Sequence, residues 1–161
     1  MSDTPRSKQT EPKKARKPSL TEQRRSARQM ALQALYQWQV AGQPVNEIEA
    51  QFRVNNDMNG VDVKLFSQLL RGVVEARSEL DLCFSPFLDR TVDDLDPVEV
   101  SVLRIGSFEL LHRMEVPYRV AINESVELAK VFGATDSHRY VNGVLDKVAQ
   151  KVRAAEVSAR R

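Results

Sequence analysis

The chain has 161 residues, 42% hydrophobic and 29% charged, with a formal net charge of +2. That length supports one domain with a core of its own, and the single cysteine, Cys83, excludes an internal disulfide and fits a buried thiol in a reducing compartment. No apolar run reaches the roughly 20 residues of a membrane span, and the basic N-terminus has no apolar stretch behind it to form a secretory signal.

The small net charge hides an asymmetry. Residues 1–28 hold nine Lys/Arg and three Asp/Glu, or +6, and the remaining 133 residues carry −4. Residues 1–18 are Lys, Arg, Pro, Ser and Thr with no large apolar side chain after Met1, so they read as a disordered basic extension. Helical order is expected from Ser19, which forms an S-x-x-E capping box with Glu22. Ala27, Ala31, Ala34, Leu35 and Trp38 follow at helical spacing until Gly42. Arg24, Arg25 and Arg28 sit on the first turns, where the helix dipole disfavours them, and an outside anion would account for that placement, with surface solvation the other reading.

Asn46 with Glu49 predicts a cap for a short helix containing Ile48 and Phe52. Asp62 predicts the start of a longer one running through Leu65, Phe66, Leu69, Leu70 and Val73. A further stretch reaches Leu80 and Leu82 before Ser85-Pro86 breaks it, with a short turn at Phe87 and Leu88. Asp96-Pro97 combines a cap with an N1 proline and opens a helix that runs towards Pro117. Gly106 inside that helix implies close approach of a neighbour. The next helix covers about residues 120–132, and the last runs from Ser137 to about Arg153. The outcome is an all-α fold of seven helices with a single domain over 19–153 and a basic tail over 154–161.

Two surfaces stand out. At the junction of the last two helices, Gly133 suits a left-handed helix end and Asp136 suits an N-cap. The free N–H groups of the following helix start, with Ser137, His138 and Arg139 beside them, form an anion-attracting site. Residues 75–99 carry eight acids and two bases, including Asp93, Asp94 and Glu99, and suit a basic partner. Catalysis finds no footing. His112 and His138 lack partners at metal-ligand spacing, no glycine loop cradles phosphate, and no serine has a nucleophile's elbow. No catalytic, metal or cofactor site is expected, and a basic arm with an acidic patch describes an adaptor.

The segments Ala34-Leu35-Tyr36-Gln37-Trp38-Gln39, Val116-Pro117-Tyr118-Arg119-Val120-Ala121-Ile122-Asn123-Glu124, and Phe132-Gly133-Ala134-Thr135-Asp136-Ser137-His138-Arg139-Tyr140-Val141-Asn142-Gly143-Val144-Leu145-Asp146-Lys147 closely resemble the NusB family of bacterial transcription antitermination factors, over about Arg24 to Arg153. The resemblance implies two packed helical subbundles. It also implies binding of the boxA segment of ribosomal RNA transcripts together with NusE, a ribosomal small-subunit protein, within a cytoplasmic RNA polymerase antitermination complex. Arg24, Arg25, Arg28 and Phe132 to Arg139 fall where the family meets RNA, with Asp136 at a functionally sensitive aspartate. Tyr36, Asp93, Asp94, Glu99 and Arg104 fall where NusE should dock. Ser26 and Ala27 depart from the arginine cluster, and so does the long basic extension ahead of Ser19. An alternative is the NusB-like domain of ribosomal RNA cytosine methyltransferases, against which stands the expectation that no methyltransferase domain follows Arg161.

Overall fold

The computed structural model describes residues 16–159, which form eight α-helices and two 3₁₀ turns and no strand. Helix α1 (Leu20–Ala41) opens with the full Ser19–Glu22 capping box and stops at Gly42, whose φ of 72° is left-handed. Helix α2 (Val45–Asn55) differs from expectation at its start: Pro44 precedes it, no side chain caps it, and Asn46 lies inside the helix. Glu49 is buried and is held by Arg53 at 2.9 Å and by Arg71 at 2.5 Å. With Pro44 at the N-cap, Glu49 stands two residues beyond the N3 position of a capping box, and its carboxylate faces the arginines instead. Helix α3 (Val63–Glu75) begins as predicted, with the Asp62 carboxylate accepting the Leu65 N–H at 3.0 Å.

Helix α4 (Arg77–Phe84) ends in a turn at Ser85–Phe87, and a second turn at Val92–Asp94 leads into α5 (Pro97–His112). Asp96 caps α5 through the Glu99 N–H at 2.8 Å. Helices α6 (Tyr118–Phe132) and α7 (Ser137–Val152) follow. Helices α2 and α3 pack on α1, while α4, α6 and α7 pack on α5, and α1 lies against α5 to join the two subbundles. Every residue of α5 from Glu99 to Leu110 is buried, as expected for a helix covered on all sides. A Cβ on Gly106 would lie 2.5 Å from Leu145 Cδ1 and 2.7 Å from Ser125 Oγ, so the predicted close approach is real.

The expected tail from 154 instead forms an eighth helix, α8 (Ala154–Ala159), with Val157 buried. Its anchor is Arg153, which is 2% exposed. The Arg153 guanidinium donates to the carbonyls of Leu110, Arg113 and Glu109 at 2.8, 3.1 and 3.2 Å. The Leu110 carbonyl is one that the end of a helix leaves without an intrahelical partner, while those of Glu109 and Arg113 also accept the backbone N–H groups of Arg113 and Val116. Of the predicted disordered extension, residues 1–15 lie outside the described residues, and Pro18 rests against the domain, its carbonyl accepting the Gln23 side chain at 3.0 Å. No described helix is long and apolar enough to cross a membrane.

Candidate nucleic-acid interface

The three arginines of α1 have different surroundings. Arg24 is exposed and has no partner among the described residues. Arg25 donates through Nε and Nη2 to the Glu124 carboxylate on α6 at 3.2 Å, keeps 54% of its side chain exposed, and has its pKa raised by that bond. Arg28 is buried. Its Nε and Nη2 donate to the two Glu109 oxygens at 2.7 and 2.8 Å, and Glu124 lies 3.7 Å away. Burial pulls the Arg28 pKa down, but the bidentate pair with Glu109 and the Glu124 charge outweigh it, and the net shift is upward. Arg28 is therefore a structural cation and not the RNA contact expected from sequence. The anion it meets is on α5, inside the protein.

The α6–α7 junction is also rearranged. Gly133 is extended, at φ −94° and ψ 178°, and not left-handed. Space requires it: a Cβ there would lie 2.8 Å from the Ala129 carbonyl and 3.2 Å from Ser137 Cβ. Asp136 makes no side-chain cap bond. Backbone bonds form the turn, from Ser137 N to Ala134 O at 3.0 Å and from Arg139 N to Asp136 O at 3.2 Å. The buried Ser137 hydroxyl donates to Glu99 Oε2 at 2.6 Å, so an expected RNA contact and an expected partner contact bind each other. Together they pin the start of α7 to the start of α5. Asp136 and Arg139 stay exposed and His138 is half-buried.

Arg104 is likewise internal. It forms a bidentate pair with Asp81 at 2.8 and 2.9 Å and donates to Gln39 at 2.8 Å, joining α1, α4 and α5. It cannot serve as a docking residue without breaking that joint. Asp93 and Asp94 are exposed on the turn before α5, and Asp94 accepts the Thr91 hydroxyl at 2.9 Å. Tyr36, 43% exposed, lies in an open apolar groove of about 580 Å³ with Val40, Phe52, Val98 and Phe132. Phe132, expected at the RNA, thus shares a groove with Tyr36. Helices α1 and α6 run side by side, tied at one end by Arg25–Glu124 and meeting at the other where Tyr36 and Phe132 line the groove. From Glu124 to Phe132 is about 12 Å along the helix, so the exposed arginines and the groove occupy opposite ends of one face.

Residues 25–150 match the NusB family. This chain belongs to the NusB family. It is 59% identical over 138 residues to the transcription antitermination protein NusB of Pseudomonas savastanoi pv. phaseolicola, covering 86% of this chain and 84% of that protein. Identity to the corresponding protein of Hahella chejuensis is also 59% over 138 residues, covering 86% and 93%. The solved structure of T. maritima NusB is similar with a TM-score of 0.71 at 28% identity, covering 83% of this chain and 96% of that one. A crystal structure of the antitermination factors NusB and NusE in complex with dsRNA shares the fold, with a TM-score of 0.69 at 24% identity over 78% and 95%.

Within this NusB-family chain, the residues that sequence reasoning missed are the buried carboxylates. Glu109 holds Arg28 and also Arg113, at 3.0 Å, and Glu124 holds Arg25. The available signal was a glutamate set among Ile105, Phe108, Leu110 and Leu111, where a lone charge would be costly unless paired. A second missed cluster ties the acidic segment to α7. The Tyr140 hydroxyl donates to Asp89 at 2.9 Å, and the Arg90 guanidinium lies 4.8 Å from the Tyr140 ring centre. Arg90 and Tyr140 hold the Asp89 carboxyl at about 2.

Proposed function

We propose that this chain is a cytoplasmic transcription antitermination factor that binds the boxA segment of ribosomal RNA transcripts together with NusE and joins the RNA polymerase antitermination complex. It acts by binding and not by catalysis. Family membership carries the reading, since relatives covering most of the chain bear the antitermination name. The division of one face into a basic end and an apolar end supports it. Arg24 and Arg25 supply exposed cations for phosphate at the basic end, and Arg139, with Asp136 near it, adds a third at the α6–α7 junction. Tyr36, Phe132 and Val98 supply an apolar groove for NusE, with Asp93 and Asp94 shortly before α5 to meet a basic partner.

A gel-shift titration with boxA RNA, with and without NusE, tests the proposal. With three arginines in reach of phosphate, the plot of log affinity against log salt should slope by about −2, at roughly −0.7 per neutralised phosphate on a single strand. Arg24→Ala should make that slope shallower by about 0.7. Equal affinity for boxA and unrelated RNA, or a flat salt response, would overturn it.

A further inference from the structure

Among the glycines within helices, Gly143 is the one that nothing in the described chain explains. Gly72 and Gly106 leave room for Phe108 and Leu145, but a Cβ on Gly143 would meet nothing within 4 Å. Its φ is not positive, so no backbone constraint requires glycine. A glycine in mid-helix weakens the helix, and bare helical backbone lets an outside group approach closely. Beside it, between the start of α6 and the middle of α7, lies a cleft of about 270 Å³ lined by Tyr118, Arg119, Ile122, Asn123, Asn142 and Asp146.

The lining has the chemistry of base recognition. The side-chain amides of Asn123 and Asn142 are exposed and have no hydrogen-bond partner among the described residues. Each offers a donor and an acceptor side by side, the pattern that reads a base edge. Arg119 is held by Tyr118, with Nε donating to the Tyr118 hydroxyl at 3.2 Å and the guanidinium 5.7 Å from the Tyr118 ring centre. Guanidinium planes stack on unpaired bases. The exposed side of α7 carries Arg139, Lys147 and Lys151 against Asp146, so its charge suits a polyanion. Asn123 and Glu124, the partner of Arg25, lie on the same turn of α6, which places the cleft and the arginine end at the same level of that helix.

We propose that this cleft takes an unstacked base of single-stranded RNA, read by Asn123 and Asn142, while bare Gly143 seats the adjoining sugar–phosphate backbone. The inference rests on the RNA reading above and assigns sequence discrimination to a place away from the arginines. The arginines supply affinity for any strand, and the cleft selects among strands.

The test is fluorescence anisotropy of the full chain with labelled boxA RNA and with a scrambled RNA of equal length, circular dichroism confirming the fold of each variant. Asn142→Ala should reduce the preference for boxA by about tenfold, the worth of one good pair of base contacts, and leave both scrambled-RNA affinity and the salt slope unchanged. Gly143→Leu, which fills open space in the free protein, should weaken binding of both RNAs. If the parent prefers boxA and both folded variants prefer it equally well with unaltered affinity, the cleft is not the reading site. If the variants keep RNA discrimination but lose NusE, the cleft is a protein surface and the inference is overturned. A parent without any preference refutes the RNA reading itself, and this inference with it.

Discussion

One helical turn separates Arg24 from Arg28, yet the first ends in solvent and the second in a bidentate pair inside the protein. The sequence makes the cluster visible and leaves its division hidden, because Glu109 is 81 positions from Arg28. A partial signal exists: Arg28 precedes Ala31 and Leu35 by three and seven residues, on the buried stripe. Asp136 illustrates the opposite error. Its residue type and position suit a cap, but backbone bonds close the turn and the carboxylate is left exposed. Asp136→Asn should therefore leave the melting temperature unchanged. If Arg139 meets phosphate as proposed, removing one negative charge near it should strengthen RNA binding by up to about fivefold, since a charge pair at 4 Å in water is worth ~1 kcal/mol. Parallel melting and RNA titrations check this, and a loss in both would show that the carboxylate is structural.

At the scale of helices, the starts of α1, α3 and α5 were legible because each is a contest settled within three residues, as Ser19, Asp62 and Asp96 show. Helix α8 was not, because its anchor is Arg153 reaching the carbonyl end of α5. The two interior glycines of α5 and α7 separate packing from binding. Gly106→Ala should destabilise by about 1–3 kcal/mol, as overpacking against Leu145 does. Gly143→Ala should stabilise by up to about 1 kcal/mol, the helix-propensity difference at a site with open space. Thermal denaturation decides both, and a destabilised Gly143→Ala would mean that the α7 surface is tighter than it looks. The α2–α3 contact makes a pH prediction. Burial raises the Glu49 pKa, but hydrogen bonds from Ser67, Arg53 and Arg71 lower it further, and the net shift is downward. A carboxyl depressed in the folded state contributes stability above its unfolded pKa, about 4.3, and that contribution disappears as pH falls through the folded value. Glu49→Gln should thus be less stable than the parent at pH 7, with the gap closing under acid. A gap that does not narrow as the pH falls below the unfolded value would assign the loss to packing instead.

For the molecule as a whole, periodicity showed seven of the eight described helices, but not the polar seam along which the two subbundles meet. Along that seam α1 reaches α5 and α6: Arg28 to Glu109, Arg25 to Glu124, and Gln39 to Arg104, which Asp81 of α4 also holds. A buried pair such as Arg28–Glu109 adds little net stability when intact, but losing one partner strands a charge in a dry site. Arg28→Ala leaves Glu109, which is fully buried, with Arg113 as its remaining side-chain cation. The expected cost is about 3–5 kcal/mol, or roughly 10 °C in melting temperature for a domain of this size. The seam also decides how the loss appears. Trp38, the one tryptophan, lies on α1 with the Arg77 guanidinium of α4 5.9 Å from its ring centre, so it reports α1 and its joint with the other subbundle, while far-ultraviolet circular dichroism reports all the helices. If α1 unites both subbundles in a single cooperative unit, the two signals should melt together in the parent. In Arg28→Ala they should still coincide, shifted down as one. Separation of the tryptophan transition from the helical one in the variant would show that Arg28 is what couples the subbundles, and that the apolar contact between α1 and α5 is not sufficient.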